Sequence, residues 1–190
     1  MTDFVAPLGI HLVEKGFADD FATSFYRLWR ESSARLGGED TPIVKMMPHL
    51  VMLDTVKDRN DSPDIKFVGQ SSFCARVIPD TIGEDCPNPK EMIDPEFRFL
   101  VKDSYDAASV GEPCYDVIRS KYLLPEGPLR ITYERLLLPF VTRTGKRWIF
   151  CYSIEKEARS EAAERGHEYR NPVQTSHKDP GQLFSAEQTR

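Results

Sequence analysis

The chain has 190 residues and a net charge of −5, with 25 Lys and Arg against 30 Asp and Glu. That length can bury a substantial core in one domain with extensions. The acidic balance, with no Lys/Arg run and no interleaved aromatics, gives no electrostatic reason to expect a nucleic acid or an anionic membrane as partner.

Residues 1–16 show no clear periodicity and are expected to form a loose arm. From Phe17 onward Phe17, Phe21, Phe25, Leu28, Trp29 and Leu36 recur at three- and four-residue steps. This spacing predicts an amphipathic flanking helix over 17–38, ending at Gly37-Gly38. Asp19 and Asp20 fall in its first turn, where carboxylates suit the positive end of the helix dipole. The stripe can dock on its own domain, the commoner case, or on a second copy. Phe21, Phe25 and Trp29 make a large apolar patch, and a homodimer through them is the expected assembly.

Thr41-Pro42 opens a connector, and IVKMMPHL reads as a helical turn broken at Pro48. LVMLDTV, residues 50–56, reads as a strand, KDRNDSPD as a turn and IKFVG as the returning strand of an antiparallel hairpin. A short helical pattern runs from Gly69 through Val77, before Pro79, Gly83, Pro87 and Pro89 interrupt it. DPEFRFLVKDSYDAASVG predicts a longer helix, with Asp94 as N-cap, Pro95 at the first position and Gly111 beyond the end. Its inward stripe is Phe97, Leu100, Val101, Tyr105 and Ala108. PCYDVIRSKYLL, LRITYERLLLPFVT and RWIFCYSIE then read as three strands, joined by the turns PEGP and RTGK. Beyond Glu155 a charged helix is expected, followed by a disordered tail, so 156–190 stands outside the domain.

Five antiparallel strands with helices clustered in mid-chain define an α+β domain over 39–155. Two local hairpins and a helical crossover would set the N-terminal pair of strands beside the C-terminal three. One sheet face stays bare unless the crossover helices or the N-terminal helix cover it.

This order, with FYRLWRESSARLGG before TPIVKMMPHLVMLD, IKFVGQSSFCARVIPDTIGEDC, the helix before VGEPCYDV, and YERLLLPFVTRTGKRWIF, resembles the PAS sensor fold. It is most similar to the stand-alone PAS-like domains of alphaproteobacteria, over about Phe21 to Glu155. The resemblance implies a PAS-like five-stranded sheet with a helical crossover and a flanking N-terminal helix. It further implies sensing or binding rather than chemistry, in a cavity between sheet and crossover that is open in some members and packed shut in others. Helices flanking the core transmit the signal in most members.

Light-sensing members hold a cysteine in an Asn-Cys-Arg-Phe-Leu-Gln helix, whereas this chain has Asp85-Cys86-Pro87-Asn88-Pro89. The prolines break the presenting helix, and the acids disfavour a thiolate, which argues against flavin chemistry. Haem is disfavoured too. The long helix has no His, and His11, His49, His167 and His177 fall in the arm, the connector and the tail. Cys74, Cys86, Cys114 and Cys151 form no CxxC and no metal-ligand spacing, and read as free thiols.

Tyr105, Tyr115, Arg119, Tyr133, Arg135 and Tyr152 are the candidate ligand-binding residues, polar groups on or near core faces. Arg135 interrupts an apolar strand. Sequence alone favours Arg135 and Glu134 as cross-strand surface charges at a sheet edge. The alternative is a buried Arg held by Glu112, Asp116 or the acid group of a ligand. No GxSxG, phosphate loop or HExxH is present, so no enzyme is expected. No apolar run reaches the roughly 20 residues that span a bilayer. The start also lacks a basic segment followed by a long apolar one, so the expected location is cytoplasmic. The leading expectation is a sensor or regulatory module binding a small organic ligand or a signalling protein. Its rivals are a cavity-less dimerisation or docking module and a small α+β enzyme.

Overall fold

The computed structural model describes residues 2–37, 42–56, 63–77, 95–124 and 127–160. The interruption at Pro79–Pro89 with Gly83 and Cys86, the Asp94 cap, the core of the PEGP turn and the tail beyond Ser160 lie outside them. In chain order the elements are β1 (Phe4–Pro7), α1 (His11–Glu14), α2 (Asp20–Glu31), α3 (Pro42–Met46) and a 3-10 turn (Met47–His49). Then follow β2 (Val51–Leu53), β3 (Ile65–Val68), α4 (Phe73–Val77), α5 (Pro95–Val110), β4 (Cys114–Leu124), β5 (Gly127–Val141) and β6 (Arg147–Ser160). Among the described residues the strands form one antiparallel sheet in the order β1-β4-β5-β6-β2-β3. The class is α+β, and the hairpin β2–β3 joins the three C-terminal strands through β6.

The sheet has six strands rather than the expected five, because the N-terminal arm is not loose. Phe4–Pro7 pairs with Asp116–Arg119 of β4, and Leu8 N donates to Tyr115 O at 2.8 Å. Asp3 ties this strand down through an ion pair with Arg130 at 2.7 Å. Pro7 sits at the end of an edge strand, where its missing N–H costs no ladder bond. Four residues are too few to show a period, so the partner strand rather than local pattern creates β1.

The flanking helix is shorter than 17–38. Asp19 is its N-cap, with Oδ1 accepting from Phe21 N at 2.9 Å and Ala22 N at 3.1 Å, so Phe17 precedes the helix and is 74% exposed. The helix stops at Glu31 because Ser33 and Ala34 turn left-handed, at φ 51° and 58°. That costly turn is held by the end of β5, through Val141 N to Ala34 O at 2.8 Å and Leu36 N to Val141 O at 2.9 Å. At the other terminus β6 runs to Ser160, so 156–160 extend the sheet instead of starting a charged helix. Ladder pairing with Leu129–Thr132 of β5 overrides the helical propensity of EKEARS.

Both sheet faces are covered, so neither stays bare. On one face α1 and α2 bury Val13, Ala22, Phe25 and Tyr26 against Tyr115, Leu136, Leu138, Phe140 and Phe150. On the other, α4 and α5 bury Phe73, Val77, Phe97 and Val101 against Ile118, Tyr122, Ile131 and Tyr133. Gly69 places α4, since a Cβ there would lie 2.3 Å from the Met47 carbonyl oxygen and 2.4 Å from that of Pro48. Only a glycine lets β3 pass so close to the 3-10 turn. At the C-terminus of α5 Gly111 adopts φ +113°, and Arg147 of β6 donates to Ser109 O at 2.6 Å.

Candidate functional site

A cavity of about 120 Å³ lies between the crossover helices and the sheet. Successive residues of a strand face opposite sides, so β2 contributes Val51 and Leu53, β5 Tyr133 and Arg135, and β6 Cys151 and Ser153. Phe73 and Val77 come from α4, and Phe97, Val101 and Tyr105 from α5, at helical spacing on the face turned to the sheet. The lining is mainly apolar with a few polar groups, as in small-molecule sites generally.

Arg135 dominates the electrostatics. It is 2% exposed, which corrects the expectation of a cross-strand surface charge at a sheet edge. Glu134, its neighbour in β5, lies on the opposite face and pairs with Lys156 at 3.0 Å. Arg135 stands directly across the ladder from Asp116 of β4 and donates through Nη2 to Asp116 Oδ2 at 2.8 Å. Its guanidinium carbon lies 4.7 Å from the centre of the Tyr105 ring, a cation–π contact. Nε, fully buried, has no hydrogen-bond partner. An arginine is not deprotonated in proteins, so this is a charged donor group left incompletely satisfied in a low-dielectric site.

The six expected ligand-binding residues divide by sheet face. Tyr105, Tyr133 and Arg135 come together at the cavity. Tyr115, Arg119 and Tyr152 are not brought there, because odd-numbered positions of β4 and even-numbered positions of β6 face the N-terminal helices. Tyr115 Oη donates to Glu134 Oε2 at 2.6 Å and Tyr152 Oη to Asp19 Oδ1 at 3.1 Å. Arg119 Nε donates to Thr132 Oγ1 at 3.1 Å, with its guanidinium over Phe4. Tyr122, Ser72, Cys74 and Cys151 join the cavity without having been singled out for it. Strand alternation puts Cys151 opposite to Tyr152, but two covered faces are both apolar, and alternation cannot rank them.

Phe21, Phe25 and Trp29 pack on the chain's own sheet. Phe21 stacks on Tyr152 with centroids 4.5 Å apart, Phe25 on Phe140 at 6.0 Å, and Trp29 Nε1 donates to Pro139 O at 2.7 Å. In these contacts Phe25 is buried, and Phe21 and Trp29 are partly buried.

Burial holds the phenols and thiols of the cavity protonated. Burial pushes the Tyr105, Tyr122 and Tyr133 phenols above their ordinary range, and Tyr122 Oη donates to Tyr133 Oη at 3.2 Å. Burial, helped by Cys151, pushes the Cys74 thiol up to about 11, and burial does the same for Cys114, which lies outside the cavity beside Asp116. A raised folded-state pKa makes a stability contribution that is whole below the unfolded thiol value of about 8.5 and is lost as pH rises through about 11. Urea midpoints therefore fall between pH 8 and pH 10.5, and they fall less in a Cys74→Ala/Cys114→Ala variant. Equal falls in the two proteins would show that these thiols do not drive the alkaline loss.

Among the described residues no three His, Cys, Asp or Glu are placed to hold a metal ion, and no helix is long and apolar enough to cross a membrane. No protein-family model and no curated protein sequence matches the chain.

Proposed function

We propose that the chain is a PAS-like sensory or regulatory module that takes a small organic ligand into the cavity and has no catalytic activity of its own. The observation that carries this reading is the buried Arg135, paired with Asp116, in a mainly apolar lining with a few polar groups. A buried ion pair is weak evidence of stability, since well-packed apolar residues often serve as well or better. A charge kept in such a place is better accounted for by recognition.

The fold class agrees with this reading. The contiguous strands β4-β5-β6-β2-β3, with a helical crossover between β3 and β4 over one face, support it. The volume suits an occupant of about benzene size, since apolar cavities near 150 Å³ hold benzene. A flavin or a haem needs far more. The buried phenols and thiols, held protonated, offer no group poised near neutral pH for acid–base work. Output from such a module would pass through a partner protein.

The modest volume also favours a second reading, a docking module in which the cavity is a packing defect, because ligand sites usually span about 300–1,000 Å³. Benzene separates the two. Saturating benzene should raise the melting temperature by about 2–5 °C. Val101→Phe, which fills the cavity from α5, should abolish that rise. No rise in the unsubstituted protein would leave the docking reading in possession.

A further inference from the structure

We infer that the exit of α2 is a two-state element. One form is short, held by the left-handed turn at Ser33-Ala34, and the other is a longer helix through Leu36 that uncovers the sheet edge at Val141. The inference is independent of the ligand-binding reading.

Three observations lead to it, and the first is that local signals ask for the longer helix. On a helix of 3.6 residues per turn Leu36 falls within about 20° of Phe25 and of Trp29, so it continues their apolar stripe. Gly37 then stands where a helix ending at Leu36 takes its glycine. Second, the short form puts two residues other than glycine at φ 51° and 58°, a conformation that a side chain makes costly. Strain of this kind persists only where the surroundings hold it, and it gathers at switch segments.

Third, the hold on the turn is thin. β4 pairs along β5 only as far as Leu137, opposite Cys114, and beyond that point Ala34–Leu36 takes the open edge. Two backbone hydrogen bonds make the contact, Val141 N to Ala34 O at 2.8 Å and Leu36 N to Val141 O at 2.9 Å. Ser33 and Arg35 are exposed and Val141 is half-buried, so water can replace those bonds when the segment leaves. Side-chain packing is loose as well, with a cavity of about 150 Å³ among Leu28, Arg35, Leu36, Ile43 and Phe140. Lengthening relieves both left-handed residues and turns the Val141 N–H and C=O to water. Trp29, bonded to Pro139 O at 2.7 Å, anchors the helix in both forms.

Val141→Pro removes the N–H given to Ala34 and no β5–β6 ladder bond, since Val141 N points to Ala34 rather than to β6. In that variant the Arg35 and Leu36 Cα resonances should move downfield to helical values, with contacts from Hα of residues 32 and 33 to the amides three positions on. Coil values at Arg35 and Leu36 would reveal a frayed end instead of a second form, and unchanged values a turn with no alternative; either result overturns the inference. If Val141→Pro does not fold, saturation-transfer NMR on the unsubstituted protein carries the test. It should find a minor state of about 1–10% with helical shifts at Arg35 and Leu36. Ser33→Gly/Ala34→Gly suits the left-handed turn and weakens the helix, so it should lower that population about tenfold or more. No minor state, one with coil shifts, or one that the glycines leave as populated as before would sink the idea.

Discussion

Asp116→Leu should cost about 3–5 kcal/mol of unfolding free energy, because it leaves the Arg135 guanidinium buried with no carboxylate. A domain of this size is stable by about 5–15 kcal/mol, so the loss is a large fraction of the whole. Adding Arg135→Met to the same chain should recover most of it, since an apolar pair of similar volume is often neutral or stabilising in place of a buried ion pair. Urea denaturation of the two variants measures both steps. The contrast is the informative part. If the double variant stays as unstable as the single one, the pair holds the β4–β5 ladder together, and the case for a charge retained for recognition is lost. If it recovers, the pair is not needed for stability, and the case for a charge retained for recognition stands.

Phe25→Ala should cost about 3–5 kcal/mol, the usual loss for a fully buried phenylalanine in a core that cannot collapse around the gap. Phe25 is 0% exposed and lies between α2 and Phe140, inside the cluster that covers the β4–β6 surface opposite the cavity. The melting temperature should drop by roughly 10 °C, given about 2–4 °C per kcal/mol for a chain of this length. Because the contact is within one chain, the drop should not depend on protein concentration. Phe17→Ala is the natural control: Phe17 belongs to the same sequence stripe but is 74% exposed, and its replacement should change stability by less than about 0.5 kcal/mol. A Phe25→Ala loss that grows on dilution would instead place this residue between subunits and restore the expected homodimer contact.

The elements legible in the chain are those whose signals are local. Pro95 and Gly111 bracket α5, the alternation of Trp148, Phe150 and Tyr152 marks β6, and Gly145 closes the last hairpin. Each depends on residues within a few positions of one another. β1 and the extension of β6 to Ser160 depend on ladder partners more than a hundred or about thirty residues away, and the left-handed exit from α2 at Ser33-Ala34 depends on Val141. No local propensity records those partners.

The candidate site divides in the same way. By itself the sequence determined an α+β chain with a helical crossover, and it determined that Tyr133 and Arg135 share a strand face, because a strand's two-residue period is a property of the backbone. Only the tertiary structure decided that this face is the one roofed by α4 and α5, that Tyr115 and Tyr152 look the other way, and that Asp116 stands opposite Arg135. Register and layer order set those facts. They arise when a helix buries each apolar face of a two-sided sheet, a choice made by the packing of the whole chain rather than by any stretch of it.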